Sequence, residues 1–465
     1  MKTPADLQAG LEGAGQEHVL AFLARLSGEA RQALIQQLEA VDLAHVQELG
    51  ALARQETPQG GESFEPPDLF PLEASSDPEA GEAREQGAEL LATGKVGFML
   101  VAGGQASRLG YDAPKGDFPI GPVTQRTLFE YHARRLRAAA RRYGVRTPWY
   151  VMTSPANDAA TRAIFEQNEY YGLPREDVFF FSQEMLPALD TEGRMIFAAP
   201  DRLFLAPNGH GGSLLALARS GALADMRNRG IEEISYFQVD NPLVRPADTL
   251  FLGLHAGRGC QMSSKVVKKV EAGEKVGVLG RVDGKLGCIE YSDLPLDLRE
   301  ARESSGELAF RAGNIAVHVL RVDFVEELTR AGFELPWHVA RKKMRAAAPD
   351  GSSVEVDGFK FETFVFDALG RSRDSVTLEV ARAQEFSPVK NAEGSDSPAS
   401  CRQHLHALFR EFVARAGDPL PATEAEEEHP IEVDPLFAET PEEFAQRPHR
   451  APRELPGGWV FEEPQ

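Results

Sequence analysis

The apolar positions of this chain change character twice. From Asp6 to Gln55, Leu7, Leu11, Leu20, Leu23, Leu26, Leu34, Leu38, Val41 and Leu49 recur at helical spacings without strand-like alternation, which predicts a helical lead-in. Residues 56–80 carry Pro58, Pro66, Pro67, Pro71 and Pro78 among Gly, Ser and Glu, and read as a connector. A helix predicted over Glu82–Thr93 then feeds a short apolar run, Val96–Val101, that reads as a buried strand.

Beyond this run, strands and helices alternate. Thr147–Thr153, Val178–Ser182 and Glu233–Val239 are predicted strands, with helices around Thr127–Tyr143, Asn157–Asn168 and Ser213–Arg229. That order predicts an α/β fold with a doubly wound, mostly parallel sheet, its ligand beyond the carboxyl ends of the strands. Residues 255–390 hold shorter strand-like runs (SKVVKKV, KVGVLGRVDG, LGCIEYSD, AGNIAVHVL, KFETFVFD, SVTLEVARA) and read as a second, partly antiparallel lobe. Asn391–Ser400 reads as a linker and Arg402–Ala416 as a helix, followed by an acidic, proline-rich tail. The expected organisation is a helical region with connector (1–88), a main domain (89–391) and a small C-terminal domain (392–465). The helix bearing Arg134, Arg135, Arg137, Arg141, Arg142 and Arg146 is expected to present a solvated basic face rather than a nucleic-acid surface.

The segment Lys95–Gly116, KVGFMLVAGGQASRLGYDAPKG, concentrates the candidate chemistry. After the strand come Ala102, Gly103 and Gly104, where backbone can lie against a flat ligand. Arg108 and Lys115 follow on the same irregular loop. Bare backbone and two cations at a strand end suit a nucleotide. The spacing gives neither G-x-G-x-x-G nor G-x-x-x-x-G-K-[ST], so a dinucleotide turn and a P-loop are both disfavoured.

Charge sharpens this picture. The 465 residues include 50 Lys and Arg against 71 Asp and Glu, a net charge of −21. Such a balance argues against nucleic acid or an anionic membrane as partner and makes a local pair of cations conspicuous. Cys260, Cys288 and Cys401 are far apart, with no C-x-x-C, which points to a reducing compartment without disulfides or a zinc site. No apolar run reaches membrane-spanning length and the N-terminus lacks a signal-like apolar stretch, so a cytoplasmic location is expected.

Further polar motifs fall at strand ends or in the second lobe: Gln183, Gly209-His210-Gly211-Gly212, Asp240-Asn241, Glu290-Tyr291, Gly313-Asn314, Lys360 and Lys390. With them the chain resembles the eukaryotic-type UDP-sugar pyrophosphorylases, the UDP-N-acetylglucosamine pyrophosphorylases foremost. The stretches that carry the resemblance are VAGGQASRLGYDAPKG, EMLPALD, VDNPLV, CIEYSDL, AGNIAVH, FETFVFD and FSPVKN, in family order from about Gly87 to Asn391. The resemblance implies a Rossmann-like, glycosyltransferase-A-like nucleotidyltransferase core that makes a UDP-sugar and pyrophosphate from UTP and a sugar 1-phosphate. It implies catalytic roles for Arg108 and Lys115, and nucleotide contacts from Val101, Ala102, Gly103, Gly104, Lys115, Gln183, Gly209, Asp240 and Lys360. Sugar-side contacts are implied for His210, Gly277, Glu290, Tyr291, Asn314 and Lys390. Asp240 is the implied ligand of Mg²⁺, with Mn²⁺ as a substitute, and a monomer or homodimer is expected. The attacking phosphate oxygen is already ionised, so no general base is needed; positioning and charge neutralisation suffice.

Two positions depart from the acetylglucosamine pattern. His210 stands where those enzymes carry Asn, and Gly-His-Gly is reminiscent of UDP-glucose and broad UDP-sugar pyrophosphorylases. Val317 replaces a polar residue in the A-G-N-I-A-N-H pattern. Both bear on which sugar is chosen. Two assignments have competing explanations: Asp240 could simply close its strand in an Asx-turn, and His210 could fill space in a glycine turn. A nucleotide-sugar-binding regulatory protein without catalysis is the alternative of a different class.

Overall fold

Leucine faces on the N-terminal helices need a partner surface, and the chain supplies it from distant segments. The computed structural model describes residues 4–55, 63–330, 335–418 and 429–463; the first part of the expected connector (56–62) and the stretch 419–428 of the expected tail lie outside the described residues. The chain groups into two units, and these are not three consecutive segments. Met1–Gly61, Gln183–Ser213 and Glu334–Val365 form the first unit; Glu62–Ser182, Leu214–Phe333 and Phe366–Gln465 form the second.

In the first unit, helices Pro4–Gly13, His18–Leu23, Gly28–Ala40 and Leu43–Ala53 realise the helical lead-in. Their Leu11, Val19, Leu34, Leu38, Val46 and Leu49 share a core with Leu189, Met195, Phe197, Leu203 and Phe361. Phe22 stacks on Phe197 at 3.7 Å and 7°. Four short amphipathic helices cannot close a core alone, which is why the lead-in joins these strands instead of standing apart. The strands His338–Ala347 and Ser353–Glu362 form a long hairpin, and Leu189–Asp190 pairs with the second of them.

The second unit is built on one eleven-stranded sheet. Eight strands form its path: β1 (Leu69–Phe70), β2 (Val96–Val101), β3 (Trp149–Thr153), β4 (Val178–Ser182), β5 (Glu233–Gln238), β6 (Met262–Lys268), β7 (Ala312–Arg321) and β8 (Thr377–Val380). Their spatial order is β1-β8-β6-β7-β5-β2-β3-β4. Neighbours are parallel except at β7, which runs against both β5 and β6. Residues of β2, β3 and β6 are almost all buried, as expected where a parallel sheet is covered on both faces.

Three expectations need correction. The shorter strands of 255–390 do not make a second lobe. β6, β7, β8 and the strands Val278–Val282 and Lys285–Ile289 belong to the main sheet, and the hairpin of 338–362 belongs to the first unit. In KFETFVFD the strand ends at Glu362, and Val365–Arg371 is a 3-10 helix. The helix predicted over Ser213–Arg229 is two, Gly212–Arg219 and Ala222–Asn228, broken where Gly221 takes a φ of +84°.

The basic helix and the C-terminal segment correct each other. Helix Leu128–Tyr143 is not a solvated basic face. Arg134 pairs with Asp434 (2.6 Å), Arg135 with Glu439 (3.3 Å), Arg141 with Glu463 (2.7 Å) and Arg142 with Glu443 (2.6 Å). Arg126, in the preceding loop, meets Glu432 (3.1 Å), Asp434 (3.2 Å) and Glu462 (3.0 Å). Apolar residues of the same segment, Ile431, Val433, Phe437, Phe444 and Phe461, join the core that contains Phe98 and Leu100. Residues 429–463 are thus part of the main body of the second unit, drawn there by charge and apolar burial together.

Candidate active site

The register of the sheet gathers the site. Val101 at the end of β2 lies opposite Gln238 at the end of β5 and opposite Met152 on β3. Because β7 runs against β5, with Tyr236 opposite His318, its first residues, Ala312–Val317, stand at that same edge. The segment following β8 reaches this edge as well, since the Val389 N–H donates to the Asp240 carbonyl at 2.9 Å.

The glycine loop is fastened from behind by two residues past β3. Ser154 Oγ donates to the Gly103 carbonyl (2.8 Å), and Asn157 Nδ2 donates to the carbonyls of Ala102 (2.8 Å) and Gly104 (3.3 Å). Asn157 is itself held by the Ser154 N–H at 2.8 Å. Fixing these carbonyls fixes the peptide planes of Ala102–Gly104. Further along, the Lys115 N–H donates to the Gly104 carbonyl at 3.1 Å, which folds the loop back on its origin. A Cβ placed on Gly104 would meet nothing within 4 Å. Packing within the protein therefore does not demand glycine there, whereas close approach of a flat ligand would.

Lys115 Nζ lies 3.7 Å from Asp240 Oδ2, the two side chains 19% and 12% exposed. Asp240 does not supply the turn that closes β5. Its neighbour does: Asn241 Oδ1 accepts from the N–H groups of Leu243 (3.2 Å) and Ser387 (3.1 Å), and Asn241 Nδ2 donates to the Glu385 carbonyl (2.7 Å). The carboxylate of Asp240 is directed instead to the cation. His132 Nε2 donates to the Val239 carbonyl at 3.1 Å and so fixes the peptide before Asp240. Burial pushes the His132 imidazole down to about 4, against the opposing pull of that hydrogen bond, and the ring is neutral near pH 7.

Beneath this frame Lys265 is wholly buried between Asp248, at 2.6 Å, and Glu385. Burial works to raise the Asp248 carboxyl, but Lys265 and Arg245 beside it hold it at about 2. Asp248 also caps helix Thr249–Gly257, so one lysine joins β6, that helix and the turn leading to Lys390. Lys390 is exposed, with its ammonium 5.6 Å from the Phe386 ring centre. Arg108 is exposed on the turn Ser107–Leu109.

The implied sugar-side residues of this unit also come together. The Asn314 N–H donates to the Gly277 carbonyl at 2.9 Å, and Asn314 Oδ1 accepts from the Ala316 N–H at 3.0 Å. A Cβ on Gly277 would fall 3.6 Å from Glu290 Oε1. Tyr291 follows and is 43% exposed. Val317, by contrast, is 3% exposed within the main core, so its departure from the family pattern is absorbed by packing.

The first unit carries the remaining candidates. Gln183 directly follows β4 and is buried. Gly209 has a φ of +81°, and a Cβ there would strike the Thr363 carbonyl at 2.3 Å, which explains the glycine. His210 is held in this turn: its Nδ1 accepts from the Val365 N–H at 3.1 Å, and its ring stacks on Phe364 at 5.1 Å. Burial, reinforced by His338, lowers its imidazole to about 4. That makes Nε2 the protonated nitrogen. Lys360 lies on strand Ser353–Glu362 with its ammonium 5.0 Å from the Phe204 ring centre.

Sequence reasoning missed Ser154, Asn157, His132 and Lys265. For the first two a signal existed, since Ser-x-x-Asn directly after a strand is a local capping pattern. A buried lysine carries no such local mark. Among the described residues no group of three or more His, Cys, Asp or Glu is arranged to hold a metal by itself. A single carboxylate at a phosphate site does suit Mg²⁺, which is commonly held by one or two carboxylates together with substrate oxygens. Among the described residues no helix is long and apolar enough to cross a membrane.

Comparison with known proteins agrees with the geometry. Residues 70–408 match the family described as UTP–glucose-1-phosphate uridylyltransferase. UDP-N-acetylhexosamine pyrophosphorylase-like protein 1 of Homo sapiens is 37% identical over 440 residues, 90% of this chain and 87% of the human protein. UDP-N-acetylglucosamine pyrophosphorylase of Saccharomyces cerevisiae is 36% identical over 348 residues, 71% of this chain and 72% of the yeast protein. The crystal structure of the Trypanosoma brucei uridine diphosphate N-acetylglucosamine pyrophosphorylase superposes with a TM-score of 0.81 at 29% identity, covering 96% of this chain and 95% of that one. UDP-glucose pyrophosphorylase from Leishmania major shares the fold at a TM-score of 0.62 and 17% identity, over 90% of this chain and 87% of its own. With the glycine loop, Lys115 and Asp240 at one sheet edge, the chain belongs to the UTP–glucose-1-phosphate uridylyltransferase family and is a nucleotidyltransferase of the UDP-sugar pyrophosphorylase kind.

Proposed function

We propose that this protein transfers a uridylyl group from UTP to N-acetylglucosamine 1-phosphate, giving UDP-N-acetylglucosamine and pyrophosphate. The observation that carries the reading is the Lys115–Asp240 pair beside backbone that the protein's own packing leaves open at Gly104. The sugar phosphate oxygen forms a bond to the α-phosphorus of UTP as the bond from that phosphorus to the bridging oxygen breaks, and pyrophosphate leaves with the electron pair. No proton need move. Lys115 and Arg108 are assigned to neutralise the phosphates, Lys as a point charge and Arg through its fork. Asp240 is assigned to hold Mg²⁺, or Mn²⁺ in its place, which would supply further neutralisation of phosphate charge.

Backbone of Val101–Gly104 is assigned to the nucleotide, and Gly277, Glu290, Tyr291, Asn314 and Lys390 to the sugar phosphate. In the first unit the motif resemblance assigns Gln183, Gly209 and Lys360 to the nucleotide and His210 to the sugar. The cytoplasm is the proposed compartment, supported by three free cysteines. Acetylglucosamine is preferred because several of the proteins similar over most of this chain carry that sugar in their names, while the human relative's name gives the broader N-acetylhexosamine. His210 favours a second reading, a broad UDP-sugar or UDP-glucose pyrophosphorylase, because a Gly-His-Gly turn departs from the acetylglucosamine pattern. Pyrophosphate release from UTP with a panel of sugar 1-phosphates separates them. A glucose 1-phosphate rate above the acetylglucosamine rate would select the second reading, and no release with any sugar would reject both.

A further inference from the structure

The loop that carries Arg108 and Lys115 is fastened at its base by Ser154 and Asn157, and at its far end by its own backbone and by one side-chain pair. The distal turn Ser107–Leu109 closes through Gly110 at a φ of +70°. From there the Tyr111 N–H returns to the Ala106 carbonyl at 3.3 Å, and the Ala106 N–H donates to the Ala113 carbonyl at 3.1 Å. The phenol of Tyr111 then donates to Asp117 Oδ2 at 2.7 Å, with its ring edge-on to Phe118 at 5.5 Å and 77°. Asp117 ends the 3-10 turn Lys115–Asp117, two residues from the lysine.

We propose that Tyr111 and Asp117 are positioning residues for nucleotidyl transfer, their hydrogen bond setting the Arg108 turn at a defined place relative to Lys115. The inference rests on the assignment of Arg108 and Lys115 to the phosphates. A phenol donating to a carboxylate forms a charge-assisted bond, stronger than a neutral one. It bridges the two turns that bear the cations, so losing it releases the Arg108 turn without touching either cation. The hydrogen bond to Asp117, with burial adding to it, pushes the phenol up to about 12, so the donor persists throughout the working pH range. Neither side chain is fully buried, which allows removal of the bond without opening a core cavity.

The test uses the full-length enzyme with Tyr111→Phe, Asp117→Ala, Asp117→Asn and the reference variant Lys115→Ala. Turnover is measured with UTP and the most active sugar 1-phosphate. Tyr111→Phe and Asp117→Ala are expected to lower kcat about tenfold, the scale set by one charge-assisted bond, and to do so without lowering the thermal midpoint. Asp117→Asn keeps a carbonyl acceptor and is expected to recover most of that loss. The double variant Tyr111→Phe/Asp117→Ala should be no slower than either single one, because both remove the same bond. KM for the sugar phosphate should stay within about twofold of its starting value, since the loop faces the other substrate. Wild-type turnover in Tyr111→Phe alongside a disabled Lys115→Ala would overturn this proposal alone. Wild-type turnover in Lys115→Ala would overturn the cation assignment beneath it. Loss of activity in step with a falling thermal midpoint, unrelieved by Asn, would show mere structural support and also overturn the proposal.

Discussion

Lys115 Nζ stands 3.7 Å from Asp240 Oδ2 at the carboxyl edge of the sheet, and neither side chain is more than a fifth exposed. The two are the proposed phosphate cation and the proposed metal ligand. Their pairing gives each a compensating charge when no substrate is bound. A triphosphate with its metal brings opposite charges to both, so each can exchange one partner for another at little desolvation cost.

Removal of either loop cation should therefore act on chemistry. Lys115→Ala and Arg108→Ala are each expected to lower kcat at least about 100-fold, the scale of losing a preorganised charge donor. Steady-state kinetics on folded variants checks this. Turnover near that of the unaltered protein in either one would remove that residue from the catalytic set.

Asp240→Asn keeps shape and hydrogen bonding while removing the charge. Its turnover is expected to need far higher Mg²⁺, and Mn²⁺ should replace Mg²⁺ poorly. A titration curve superimposable on that of the parent protein would exclude Asp240 as a metal ligand.

His132 predicts a pH dependence of stability. Its folded pKa, about 4, lies below the value of 6.5 expected unfolded, so between these values the unfolded chain binds more protons. Stability from this residue is complete above pH 6.5 and is lost as pH falls towards 4. Between pH 7 and 5 the loss amounts to about 2 kcal/mol. Urea unfolding at both pH values, compared with His132→Gln, isolates it. The Gln variant still has a donor for the Val239 carbonyl but no titration, and equal losses in both proteins would refute the assignment.

Glu432 anchors the C-terminal segment. Fully buried, it accepts from the N–H groups of Val123 (2.9 Å) and Thr124 (2.8 Å), from the hydroxyls of Thr124 (2.6 Å) and Tyr131 (2.9 Å), and from Arg126 (3.1 Å). Glu432→Ala strands several buried donors at once and is expected to cost about 3–5 kcal/mol. Denaturant unfolding reads it directly, and a loss below about 1 kcal/mol would mean the pocket rearranges without penalty.

Local chemistry made much of this protein legible. The alternation of apolar runs identified the parallel strands, because a strand covered on both faces needs consecutive apolar residues. The loop from Ala102 to Lys115 was visible because its glycines and cations are neighbours in sequence. Asp240 stood out because a carboxylate ends a predicted strand. The grouping of the N-terminal helices with residues 183–213 and 334–365 was not legible, nor was the entry of β6, β7 and β8 into a single sheet. Pairing register is a relation between segments, and an apolar strand carries little mark of its partner. The arginines of helix Leu128–Tyr143 looked solvated because their carboxylates lie some 300 positions away. Ser154, Asn157 and Lys265 act through carbonyls and carboxylates brought to them by folding. The sequence by itself thus determined which groups were available for phosphate chemistry. Only the tertiary structure decided their spacing, because burial and hydrogen bonding between distant segments set where each one is held.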